Sequence, residues 1–127
     1  MPTIHTLGHQ YKRTTFTYTG NVHEGVILEI TGEPYISAEI FNAILHQFRG
    51  ETIPGGFNVS SQTSGGLGFW VKHKSKMLTP VRLYPRLASY MAAILVHEGY
   101  ITSSLNRNAI ILHFPELQSM TYPDTHI

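Results

Sequence analysis

The stretch from Pro85 to Phe114 constrains this chain most, because it reads as a helix running straight into a β-hairpin. Leu87, Tyr90, Met91, Ile94 and Leu95 recur at helical spacing and form one apolar stripe. Pro85 suits a first helical turn, where its missing amide hydrogen leaves nothing unpaired. Gly99 supplies the left-handed stop. The spacing therefore predicts a helix over Pro85–Glu98. Beyond it, Tyr100-Ile101 begins a strand, Thr102–Asn108 turns, and Ala109–Phe114 (AIILHF) returns. Pro115 closes that strand, since proline cannot donate to a ladder.

Upstream, Ser37 is a good N-cap, and Ile40, Phe41, Ile44, Leu45 and Phe48 form a second helical stripe. Arg49 and Gly50 mark its end, so a helix is expected over Ser37–Arg49. Gly50–Gly66, with Pro54 and Gly55-Gly56, is expected to be a long loop. A short helix follows over Leu67–Met77, with Leu67, Trp70 and Val71 inward and Lys72, His73 and Lys76 outward. Thr79-Pro80 breaks it. At the N-terminus, Tyr11–Thr19 and Val26–Ile30 have the β-branched and aromatic alternation of strands, joined through Gly20–Gly25. The segment Met120–Ile127 is expected to be loosely held.

These elements give an α+β chain: an N-terminal β-hairpin, three helices and a C-terminal β-hairpin. The two hairpins are expected to join in one antiparallel sheet. A length of 127 residues fits one domain. Within it, residues 1–34 hold the first hairpin and residues 115–127 form a tail.

Charged residues make up only 13% of the chain, about half the usual share, while 42% are hydrophobic, enough for a packed interior. The absence of cysteine removes disulfides, thiolate metal sites and thiol nucleophiles. The longest apolar run, Met91–Val96, is too short to cross a bilayer, and Met1–Gln10 lacks the pattern of a secretory signal. A cytoplasmic location without membrane association is the expectation. Charge is unevenly distributed. Between Thr52 and His97 lie Lys72, Lys74, Lys76, Arg82 and Arg86, which are five of the nine cations, and none of the eight acidic residues.

A helix bearing small residues, then Glu98-Gly99-Tyr100-Ile101, a polar turn and a short apolar strand resembles the end of a winged helix-turn-helix domain. The resemblance covers residues 35–114, where the three predicted helices fill the family's helical places in order. It implies a nucleic-acid-binding module, with the turn holding Asn106, Arg107 and Asn108 as the wing tip. In that reading Lys72, Lys74, Lys76 and Arg82 contact phosphates. Arg86 and Ser89, at the start of the third helix, reach base edges, and Arg107 enters a minor groove. Trp70, beside Lys72 and Lys74, is a candidate stacking platform for single strands. Bland readings stand beside these: five cations that solvate one face, Trp70 as a core anchor, and Ala88, Ala92 and Ala93 as sites of close helix packing.

Other chemistry is thinly supported. Gly65-Gly66-Leu67-Gly68 lacks the lysine and hydroxyl of a P-loop, and no GxSxG elbow is present. Of the eight histidines no pair has a metal-site setting, and His113 alternates with Leu112 and Phe114, so it points off the core face. No catalytic residue, metal or cofactor is assigned. The leading expectation is a nucleic-acid-binding module acting as a regulatory or assembly subunit. One alternative is a non-catalytic protein–protein interaction subunit or homodimer, suited by low charge and seven tyrosines. Another is a small histidine-dependent hydrolase or nuclease.

Overall fold

The computed structural model describes residues 3–7, 15–55, 65–74, 87–106 and 109–116. The elements in chain order are β1 (Thr3–His5), β2 (Thr15–Asn21), β3 (Gly25–Leu28), β4 (Tyr35–Ile36) and α1 (Ala38–Gln47). They continue with β5 (Thr52–Pro54), α2 (Leu67–Lys74), α3 (Leu87–His97), β6 (Thr102–Asn106) and β7 (Ala109–His113). The architecture is α+β, with three helices and two antiparallel sheets ordered β1-β2-β3-β4 and β5-β7-β6.

The first hairpin follows its alternation. Phe16 and Tyr18 on β2, and Val26 and Leu28 on β3, are buried, while Thr17 between the first pair is half-buried and Ile27 between the second is exposed. Its turn is closed by Asn21, whose carbonyl and side-chain oxygens both accept from the Glu24 amide, at 3.2 and 2.8 Å. Gly20 is held at φ 89°, and a Cβ there would collide with the carbonyl oxygen of Gly25. Only glycine keeps this register.

The expected single sheet is not what forms. β1 takes the free edge of β2, β4 takes that of β3, and β5 takes that of β7, so local strands occupy the edges the hairpins would have shared. Three of these strands were not expected. β1 and β4 have three and two residues, too few to show a period. β5 falls within the stretch expected to be loop and contains Pro54. It lies at the edge of its sheet, where a missing amide hydrogen is tolerated.

The α1 helix matches its expectation closely. The Ser37 hydroxyl accepts from the Ile40 amide at 3.3 Å, and Ile40, Phe41, Ile44, Leu45 and Phe48 are all buried. Gly50, at φ 73°, turns the chain toward the C-terminal strand region, where its amide donates to the Pro115 carbonyl at 2.9 Å. Phe48 and Phe114 close this joint with ring centroids 5.4 Å apart.

The exit from α3 corrects the predicted hairpin boundaries. Gly99 (φ 86°) donates to the Val96 carbonyl at 3.1 Å and Tyr100 donates to that of Leu95 at 2.9 Å, a paired closure of the helix end. Tyr100 and Ile101 are thus spent on leaving the helix, and the strand starts at Thr102. Thr102–Asn106, expected as turn, pairs along its whole length with β7, which leaves two residues between Asn106 and Ala109.

The α3 helix packs against β1 and α2, and Leu87, Ala88, Met91, Ala92, Ala93, Ile94 and Leu95 are buried. Tyr90 meets Phe16 of β2 edge-on, with centroids 4.8 Å apart. Just past the helix, Glu98 ties it to the first hairpin: one carboxylate oxygen accepts from the Tyr18 hydroxyl at 2.5 Å and the other from the Val22 amide at 2.9 Å. Burial of Tyr18, then its bond to Glu98 and the Glu98 charge, push the phenol's ionisation well above its ordinary value.

The folded state therefore favours the neutral phenol of Tyr18. Its contribution is complete below the unfolded value of about 10 and is lost as pH rises toward the higher folded value. In urea unfolding from about pH 9 to about pH 11, the wild type should lose stability more steeply than Tyr18→Phe, by up to about 1.4 kcal/mol per pH unit. Equal slopes would mean that this pairing does not set the alkaline limit.

Candidate functional site

The sequence-derived site residues fall along α2, the start of α3 and the second hairpin. The α2 helix is anchored first by its apolar side, with Leu67, Trp70 and Val71 buried. Its first turn is stitched to the second sheet, because the Gly68 amide donates to the Gly55 carbonyl at 3.0 Å and the Gly55 amide donates to Ile110 at 2.9 Å. Lys72 is half-buried and His73 exposed on this helix, with the imidazole 4.4 Å from the Phe69 ring. Lys74 is the last residue of α2, and its side chain lies outside the described residues. Lys76, Arg82, Arg86 and Arg107 also lie outside them. Lys72 and Lys74 are thus placed on one short helix that is fixed to the hairpin's sheet.

Ser89 is half-buried in the first turns of α3 and is engaged with a neighbour. The α3 helix packs against β1 and α2 and meets Phe16 of β2 through Tyr90, and its first described residues, Leu87 and Ala88, are buried. Trp70 is 8% exposed and belongs to the core cluster together with Leu67 and Val71. The exposed acids Glu24, Glu29 and Glu33 belong to the N-terminal sheet and its turns, Glu39 to α1, and Glu51 and Glu116 to the joint near Gly50. Charge of the two signs is therefore divided between elements, with the cation-only segment entering through β5 and leaving through α3.

A polar array on the second sheet was not anticipated. His113 of β7 stands opposite Thr52 of β5 and Thr102 of β6. Its Nδ1 lies 3.2 Å from Thr52 Oγ1 and its Nε2 lies 2.8 Å from Ser104 Oγ. The expectation that His113 points off the core face fits this, since Leu112 and Phe114 on either side are buried. Ser104 and Thr52 carried no sequence signal, because they are 9 and 61 positions from His113 and meet it only through strand pairing. Beside the array, a cleft of about 410 Å³ opens between His5, Thr6 and Leu7 and the strand residues Ser103, Ser104, Leu105 and Ile110.

Among the described residues no group of histidine and acidic side chains could hold a metal ion, and no helix is long and apolar enough to cross a membrane. The chain matches no protein-family model, and neither a curated protein nor a solved structure is significantly similar to it.

Trp70 is the one tryptophan, so its fluorescence reports a single site. Emission should be blue-shifted in the native protein, resist acrylamide quenching, and stay unchanged when a single-stranded oligonucleotide is added. Strong quenching by the oligonucleotide would show an indole stacked on bases instead.

Proposed function

We propose that this chain is a small winged-helix-like nucleic-acid-binding module that grips the phosphate backbone through its cation-only segment. The observation that carries the reading is the placement of that segment. It spans α2 and leads toward α3, two helices that pack on each other and are followed by a hairpin. Backbone phosphates need cations and little else, and release of counterions supplies affinity that does not depend on sequence. The burial of α3 supports a particular form of the reading. A helix covered along its flanks cannot lie in a major groove, so contacts concentrate on α2, the segment between α2 and α3, and the hairpin tip. Lys72, Lys74, Lys76 and Arg82 then hold phosphates. Arg86 and Ser89, at the start of α3 in sequence, and Arg107 between β6 and β7 are the residues left to touch bases or a groove.

A second reading, a protein–protein interaction subunit, is favoured by one feature. Ile27 and Tyr35 pair across β3 and β4 and are 42% and 56% exposed, an apolar spot on the outer face of the N-terminal sheet.

Fluorescence anisotropy with a labelled duplex, repeated across salt concentrations, separates the two. The nucleic-acid reading predicts that log affinity falls linearly with log salt, and that Lys72/Lys74/Lys76→Ala makes the slope shallower by about 3, roughly one per lost phosphate contact. Binding that ignores salt and these substitutions, from a protein that scatters light as a salt-insensitive dimer, would overturn it in favour of the second reading.

A further inference from the structure

We propose that Ser104, His113 and Thr52 form a hydrolytic site for small, uncharged carboxylic esters on the C-terminal hairpin. The inference is independent of nucleic-acid binding and rests on the geometry of the second sheet.

Ser104 Oγ lies 2.8 Å from His113 Nε2, within reach for proton transfer, and His113 Nδ1 lies 3.2 Å from Thr52 Oγ1. That is the order nucleophile, base, orienting group. With its proton on Nδ1 the imidazole donates to Thr52 and leaves Nε2 free to accept from the Ser104 hydroxyl. The three groups stand on neighbouring strands. Thr52 is directly opposite His113, and Ser104, which pairs with Ile111, is its diagonal neighbour. Sheet pairing therefore fixes the spacing before any substrate arrives.

Access and binding room are both present. Ser104 is exposed, while His113 is half-buried, so the nucleophile faces solvent and the base is held behind it. Ser104 also borders the 410 Å³ cleft, whose apolar walls, Leu105 and Ile110, alternate to the other face of the sheet, so an acyl chain would reach it around the β6 edge. β6 is an edge strand, so every second amide along it points away from β7. No lysine or arginine lies among the described residues of the array or the cleft. A phosphodiester would need such cations, whereas a neutral ester does not.

The steps balance. Ser104 Oγ bonds to the ester carbonyl carbon as its proton passes to His113 Nε2. The bond from that carbon to the alcohol oxygen breaks, and the alcohol leaves with the His113 proton. Water then attacks the acyl-serine carbon and gives a proton to His113. The bond to Ser104 Oγ breaks, the serine recovers that proton, and the carboxylic acid departs.

The full chain incubated with p-nitrophenyl butyrate should release nitrophenol, and Ser104→Ala and His113→Gln should each lower the rate by roughly 100-fold or more. Both variants are checked for native circular dichroism. An alkyl fluorophosphonate should add one mass increment to the wild type, mapped to Ser104 by peptide sequencing, and none to Ser104→Ala. Thr52→Val, which changes a positioning residue, should keep labelling but move the pH–rate profile, an effect that lost packing alone would not give. Ser104→Cys guards against a folding artefact, because it should be alkylated faster than a cysteine placed at exposed Thr3. Equal rates in wild type and Ser104→Ala, or a label on another residue, would overturn the proposal.

Discussion

The burial of α3 on more than one side is the constraint on which the rest of the structure depends. A helix with Leu87, Ala88, Met91, Ala92, Ala93, Ile94 and Leu95 all buried cannot be covered by a single neighbour. The α2 helix takes one flank. The N-terminal sheet takes another, through β1, the Phe16–Tyr90 contact and the carboxylate of Glu98. Glu98 is suited to the joint because it accepts two hydrogen bonds at a half-buried place, from Tyr18 and from the Val22 amide. Without that sheet a large apolar surface would meet water. At the usual 25 cal/mol per Å², exposing even a few such side chains costs several kcal/mol.

The same burial reshapes the functional reading. A winged plan taken from sequence makes the third helix the reader of bases, but here its flanks are interior. Of the cations between Thr52 and His97, Lys72 is half-buried on α2 and Lys74 ends that helix. The second sheet carries the His113–Thr52–Ser104 array and is also the sheet to which α2 is tied through Gly55. The N-terminal sheet, which bears exposed Glu24, Glu29 and Glu33, serves the other half as a cover.

How much was legible follows from range. Ser37, the α1 stripe and Gly50 were readable because capping, periodicity and a left-handed stop all act within a few residues. The inward placement of Leu67, Trp70 and Val71 was readable for the same reason. The short strands β1, β4 and β5 were not, since each exists only by pairing with a partner that periodicity does not reveal. The boundary at Tyr100 was misplaced because the backbone bonds that close α3 consume two residues that otherwise look like strand. Of the candidate sites, the basic segment was visible as charge. Ser104 and Thr52 were invisible, because nothing within either strand marks a residue that will face His113 from a neighbouring one.

If α3 and the N-terminal sheet form one cooperative unit, native-state hydrogen exchange at low denaturant will show it. Amides of Met91–Leu95 in α3 and of Tyr18 and Leu28 in the sheet should exchange with the same opening free energy, equal to that of global unfolding. If the sheet amides instead exchanged through an opening that left α3 protected, the sheet would be a detachable cover. The helix could then be bared to a nucleic-acid groove, and α3 and the sheet would not be one cooperative unit.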